Sequence, residues 1–260
     1  MKFPEMTSAR LASIDRDQTL VVIPIAAIEQ HGPHMPTGTD FILCTAVAEA
    51  VEARLAERVL LTPTVWLGAS AHHLRLGSTL NTELDTYVAT LCDIARSLLD
   101  DRYRRLLYLN GHGGNIDPMR MAVREIQPEY PEALLAAGSY WSVADEFIRQ
   151  TLEGEHKDVG HACEFETSMM LHVRPELVVR EKLAAAGKLV ADSIDGVFLS
   201  RDMNQRTREG YTGRPDLASA AKGERLFSGI VDRLVSLVEQ LLSEPLGTEY
   251  PDFVVPDFVV

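Results

Sequence analysis

The chain has 260 residues, 46% hydrophobic and 24% charged, and carries a formal net charge of −13. That negative excess argues against nucleic acid and anionic membrane surfaces as partners, since both need a basic footprint. No apolar run reaches the ~18 residues that span a bilayer, and residues 1–6 lack the apolar stretch of a secretory signal, so a cytoplasmic globular protein is expected.

Residues 7–12 predict a short helix, and residues 20–28, mostly apolar, predict a buried strand. The segment that follows, 29–40, sets Glu29, His31, His34 and Asp40 among Gly32, Pro33, Pro36 and Gly38. Glycine and proline continue neither strand nor helix here, so the segment reads as a loop of fixed shape. Open α/β sheets bind ligands at the carboxyl ends of their strands. Oxygen and nitrogen donors crowded at such a place point to a divalent metal.

Residues 40–56 have apolar side chains at helical spacing, with Thr39 or Asp40 as N-cap. Residues 59–65 predict a second strand, followed by a polar turn at 68–73 that holds Ser70, His72 and His73. An amphipathic helix is expected over 82–99. A third strand, 105–109, ends at Asn110-Gly111-His112-Gly113-Gly114-Asn115, with a helix over 116–126 and a fourth strand over 133–140. This alternation predicts an α/β fold, a mostly parallel sheet with helices on both faces.

Residues 166–172 read as a helix, and 186–214 as irregular apart from an apolar patch at 194–199. A long helical pattern over 216–242 is interrupted at Gly223 and Gly229. The chain ends in a tandem repeat of Pro-Asp-Phe-Val-Val, too short for a solenoid and readable as a tail, an edge strand or an arm. With no long linker, residues 1–260 are expected to form one domain, with 243–260 as C-terminal tail or arm.

The three cysteines, Cys44, Cys92 and Cys163, are odd in number and widely spaced, so no disulfide framework or Cys-x-x-Cys zinc site is indicated. Cys44 and Cys92 read as small core residues, and Cys163 as packed rather than ligating.

Three groups of donors fall at strand-to-loop junctions: Glu29, His31, His34 and Asp40; His112 in its glycine-rich loop; and Asp158, His161, Glu164 and Glu166. Each alone has a bland reading, as a loop histidine or a solvated carboxylate. Glu29, however, follows an apolar strand, where an unpaired carboxylate is costly. Glycines around His112 let a ligand approach closely. Together the groups supply the inventory of a two-metal hydrolytic site, imidazoles and carboxylates with one carboxylate shared between ions ~3.5–4 Å apart.

Glu-Gln-His-Gly-Pro-His-Met-Pro with a following Thr-Asp, then Asn-Gly-His-Gly-Gly-Asn, then Gly-His-Ala-x-x-x-Glu-Thr-Ser, resembles the creatininase (creatinine amidohydrolase) family. The segment from Gly210 to Gly223 is similar to a further family stretch, and the matches run in family order from about residue 20 to about 230. The resemblance implies a three-layer α/β/α fold and a dinuclear centre of two divalent ions, zinc or manganese, with iron in some members. It also implies a homo-oligomer, a hexamer built as a trimer of dimers, and a small amide-type substrate.

Carried over, Glu29 and His112 would bind one metal, His31 the other, and Asp40 would bridge both. His34 then takes a supporting role. Creatininase itself has a tyrosine and a glutamate where this chain has Gly113 and Gly114, so another carboxylate must complete the second site. Glu166 is the expected one, with Glu164 as the alternative. An aromatic residue expected before Asp158 is Lys157 here, and the loss of this and of the tyrosine equivalent departs from the creatinine pocket, so a family member other than creatininase itself is expected.

The two ions would generate a bridging hydroxide near neutral pH, which attacks a polarised carbonyl. His161 is the expected acid for the leaving nitrogen. Ser70, His73, Gly113 and Asp158 are the expected substrate contacts. The leading expectation is hydrolysis of a C–N bond in a small amide, cyclic or open, of the non-peptide type. The same site could instead serve a formamide deformylase, a cofactor-maturation peptidase, or a hydrolase of sugar-derived ketones or lactones. A non-catalytic metal-binding protein is the alternative of another class.

Overall fold

The computed structural model describes residues 1–247, so the C-terminal repeat, and with it most of the expected arm, lies outside the described residues. The chain opens with a short helix α1 (Ser8–Ala12), then strand β1 (Leu20–Ile25), helix α2 (Thr39–Arg54), strand β2 (Val59–Leu61) and helix α3 (Leu84–Asp100). Strand β3 (Arg105–Asn110), helix α4 (Ile116–Ile126), strand β4 (Leu134–Ser139), helix α5 (Asp145–Thr151) and helix α6 (Glu164–Val173) follow. The two-residue strands β5 (Ser193–Ile194) and β6 (Val197–Phe198), the short helix α7 (Met203–Arg206) and the long helix α8 (Ala220–Ser243) complete the described chain.

The sheet runs β2-β1-β3-β4, all parallel, with Val21 opposite both Leu60 and Leu106. Every residue of β1 is buried, as expected for a strand covered on both faces. Its side chains alternate between two cores. Leu20 and Val22 join α2, α6 and α8 on one face, while Val21, Ile23 and Ile25 join α3 and α4 on the other. This is the expected α/β/α sandwich. Among the described residues, no helix is long and apolar enough to cross a membrane.

Pro24 is the next-to-last residue of this central strand, where a missing N–H should break the ladder. Its carbonyl faces the β2 side, accepting from Val65 N at 2.9 Å. The register with β2 stops at Val22 and Leu61, so the lost donor falls where regular pairing has already ended.

Three expectations need correction. The first strand ends at Ile25 rather than Ile28, because Ala26 bonds to Val65 and Ile28 to Leu80 in turns. Helix α2 starts after Gly38, and neither Thr39 nor Asp40 is its N-cap; the Thr39 hydroxyl donates back to Pro36 O at 2.7 Å. That leaves the Asp40 carboxylate unused by the helix. Helix α8 runs through Gly223 and Gly229 without a break. These glycines serve packing: a Cβ at Gly223 would fall 1.8 Å from Ser168 O of α6, and one at Gly229 2.3 Å from the Phe147 ring. The apolar patch at 194–199 forms the hairpin β5–β6, whose Ile194, Val197 and Phe198 are exposed.

Candidate metal centre

The loops after β1 and β3, neighbours in the sheet, bring Glu29, His31 and His112 to one edge. Asp40 enters from the first turn of α2, and Glu166 from the first turn of α6. All five side chains are buried. Close approach of α2 to the β3 loop depends on Gly111, where a Cβ would lie 2.5 Å from the Cβ of Cys44.

The contacts fall into two halves that share Asp40. In one half, His31 Nε2 lies 3.1 Å from Asp40 Oδ1 and 3.9 Å from Glu166 Oε1. In the other, His112 Nδ1 lies 3.0 Å from Asp40 Oδ2 and 3.3 Å from Glu29 Oε1. Each imidazole is oriented from behind by a carbonyl. His31 Nδ1 donates to Glu29 O at 3.1 Å, and His112 Nε2 to Ala69 O at 3.2 Å. Such backing leaves the other ring nitrogen as a lone pair, the arrangement of metal-binding histidines.

Glu29 Oε2, His31 Nε2 and Asp40 Oδ2 are buried and have no hydrogen-bond partner among the described residues. Native proteins rarely leave such groups unpaired. Carboxylate oxygens and imidazole lone pairs converging on one buried place fit a divalent cation, and the donor set of nitrogen and oxygen suits zinc or manganese. Without a cation, protons take up the charge. Burial by itself lowers both imidazoles, but Asp40 and Glu166 raise His31 well above its usual value. Glu29 and Asp40 likewise raise His112 to about 10. Burial pushes the Glu166 carboxyl up, against the pull of His31.

Glu166, not Glu164, faces this cluster. Its Oε2 accepts from Ala162 N at 2.5 Å, which leaves Oε1 toward His31. Glu164 is turned away: it pairs with Lys222 of α8 and accepts from Glu153 N at 2.9 Å and Gly154 N at 2.8 Å. His34 is fully buried outside the cluster and donates Nε2–H to Ala162 O at 3.0 Å, bracing the residue whose N–H holds Glu166. Gly114 cannot accept a side chain on this backbone, since a Cβ would fall 2.2 Å from Ala69 O and 2.5 Å from His112 Nε2; Gly113 faces open space.

His161 Nε2 lies 2.7 Å from Gln30 O, and a carbonyl only accepts, so that nitrogen carries the hydrogen. The bare Nδ1 faces Glu29 Oε1 at 3.5 Å. Burial, then the neighbouring His31 and His73, hold His161 well below the usual imidazole value, so it rests neutral. The Gln30 amide donates to Gly210 O at 2.8 Å and to His73 Nδ1 at 2.9 Å. His73 therefore turns Nε2–H toward Glu29 Oε1, 3.4 Å away. This organising role of Gln30 was not read from the sequence; its only signal was its place between Glu29 and His31.

The centre opens into a cavity of about 710 Å³, whose walls include His73, Gly113 and Asp158. Asp158 is exposed and paired with Arg149. Ser70 is fully buried, its Oγ lies 3.2 Å from His112 Nε2, and it is not among the residues that line the cavity. His72 also lines the cavity and forms a possible ligand group with Glu29 and His112. Cys163 is packed in the core, and burial pushes its thiol up to about 12.

Comparison with known proteins gives a consistent picture. Residues 4–238 match the creatininase family profile, described as creatinine amidohydrolase. The chain is 31% identical over 251 residues to a mycofactocin precursor peptide peptidase of Mycobacterium tuberculosis (strain ATCC 25618 / H37Rv), covering 94% of each chain. It is 34% identical over 248 residues to a creatinine amidohydrolase of Pseudomonas putida, covering 89% of this chain and 92% of that one. A solved mutant creatininase described as Zn-Zn type superposes with a TM-score of 0.80 at 24% identity, covering 94% of this chain and 98% of the other.

Proposed function

The chain belongs to the creatininase family, and on that premise we propose that it is a metal-dependent hydrolase that cleaves the C–N bond of an amide. The observation that carries this reading is the buried convergence of unpaired donors on Glu29, His31 and Asp40, completed by His112 and Glu166. Glu29, His112 and Asp40 would hold one divalent ion, and His31, Asp40 and Glu166 the other. These ions supply Lewis acidity, activating water near neutral pH and polarising the substrate carbonyl.

The protein's own part is orientation and proton transfer. His161 rests neutral, with Nε2–H tied to Gln30 O and Nδ1 bare. It takes the proton of the attacking water at Nδ1, becoming imidazolium, and passes that proton to the leaving nitrogen so that a neutral amine departs. It is therefore an acid that must first act as a base. His73 Nε2–H, steered by Gln30, restrains the Glu29 carboxylate. Gly113 and Asp158 border the space for substrate.

A small amide, cyclic or open, is the primary substrate reading. A peptide amide is the second, favoured by the identity to a peptidase and by a cavity of about 710 Å³, which has room for more than a small ring. The test is a panel of a cyclic amide, a short peptide, a lactone and a formamide, offered to protein loaded with zinc or manganese. Turnover of an amide that chelation abolishes, and that His161→Ala lowers by about 10²–10⁴-fold, is expected. Turnover confined to the lactone, or none at any metal loading, would overturn the reading.

A further inference from the structure

The cavity over the metal centre has a second wall, built by the end of strand β6 and the segment that follows it. This wall carries Phe198, Leu199, Ser200, Arg201, Met203 and Arg206. It is docked on the turn at Ala71–Leu76, which carries His72 and His73, through α7 and an Arg75–Asp202 pair at 3.2 Å.

Most charged side chains of the cavity lining are already matched. Arg206 pairs with Asp192 at 3.0 Å, and Arg214 with Asp216 at 2.7 Å. Asp158 pairs with Arg149 and Glu164 with Lys222. Asp117 stands exposed, 4.0 Å from Arg120. Arg201 differs: it is the lining guanidinium with no carboxylate partner among the described residues. It is half-buried, and one Nη1 hydrogen is used on Ala191 O at 2.9 Å. That bond braces the group across the hairpin and leaves its remaining N–H donors unused.

A braced, half-buried guanidinium with free donors is built for an oxyanion, which it can take in a bidentate fashion. The chain as a whole is at −13 and repels anions, so an anionic substrate would need such a local cation. Apolar neighbours such as Phe198 and Leu199 lie on the same wall. We propose that Arg201 is a specificity residue that binds an anionic group, carboxylate or phosphate-like, on an amide substrate with an apolar portion. This deepens the amide-hydrolase reading and rests on it.

The test uses N-benzoylglycine, its neutral carboxamide, and N-benzoylaminomethylphosphonate, with metal-loaded protein and with the Arg201→Gln and Arg201→Lys variants. Binding is read by calorimetry and hydrolysis by benzoate release. The expected result is binding of at least one anionic probe about tenfold or more tighter than the carboxamide, a gap that closes in Arg201→Gln and is partly kept in Arg201→Lys. The carboxylate and phosphonate arms identify the anion. Equal binding of all three probes, binding of none, or a preference unchanged in Arg201→Gln overturns the proposal whether or not hydrolysis occurs. Absence of hydrolysis together with the expected binding pattern leaves Arg201 as the anion site and counts against the amide-hydrolase reading instead.

Discussion

His31 Nε2 and Asp40 Oδ1 lie 3.1 Å apart, and His31 Nε2 makes no hydrogen bond. Two buried acceptors held this close repel unless a proton or a cation lies between them. Binding of cations there stabilises the fold by mass action, about 2.7 kcal/mol for each site at one hundred times its dissociation constant. For a chain of this size each kcal/mol moves the melting temperature by ~2–4 °C. Chelation of both ions is therefore expected to lower the melting temperature by about 10–20 °C, recovered on adding zinc or manganese, and an unchanged melting curve would contradict a site of this kind.

Glu164 and Lys222 form a buried ion pair that joins α6 to α8 and holds the 153–154 peptide. Lys222→Met leaves a buried carboxylate without its cation, which costs about 3–5 kcal/mol. Adding Glu164→Gln removes that charge and restores part of the loss. Urea unfolding of the single and double variants measures both, and a double variant less stable than Lys222→Met would show that the charge is not the cause.

The contact between α6 and α8 passes through Gly223, where a Cβ would meet Ser168 O at 1.8 Å. Gly223→Ala raises helix propensity, yet the overlap forces the helices apart and costs about 3 kcal/mol. Because α6 carries Glu166, metal affinity should fall in parallel. A variant as stable as the parent in denaturant would mean that the helices separate freely.

These cases mark where reading the sequence works and where it stops. Glu29, His31 and Asp40 lie within one short stretch, a loop and the first turn of α2, so their grouping is local and legible. The alternation of β1 to β4 with helices was equally plain, because its apolar periods are local. Preference for Glu166 over Glu164 could be guessed from spacing, but the reason, Lys222 at the other side of the sequence, is a tertiary contact. Gly223 and Gly229 looked like interruptions because a glycine's packing partner is invisible in its own helix. Ser70 reads from its motif as a substrate contact, and its full burial beside His112 is a tertiary fact that the motif does not carry. Arg201 carried no motif; its distinction is the lack of a partner, which requires coordinates.

Burial also sets cysteine chemistry. It pushes the Cys163 thiol up to about 12, and Cys44 upward as well, with further help from Glu166 and Asp40 respectively. The unfolded value is ~8.5, so the stability tied to the neutral thiols is fully present below that pH and is lost as pH rises toward the folded values. All three cysteines are buried and free. A disulfide reagent at pH 8 should therefore find almost no reactive thiol in the native protein and three after unfolding, and the urea midpoint should fall between pH 8.5 and 10.5. Rapid native labelling would contradict the packing of Cys163.

The central claim is two ions per chain joined through Asp40, with Glu166 completing the second site. It is tested most directly by metal content per chain after loading and gel filtration, for the parent, Glu166→Gln and Asp40→Ala. The account predicts about two ions in the parent, about one in Glu166→Gln, and fewer than one in Asp40→Ala. A parent holding one ion or none, or either variant still holding two, would contradict it.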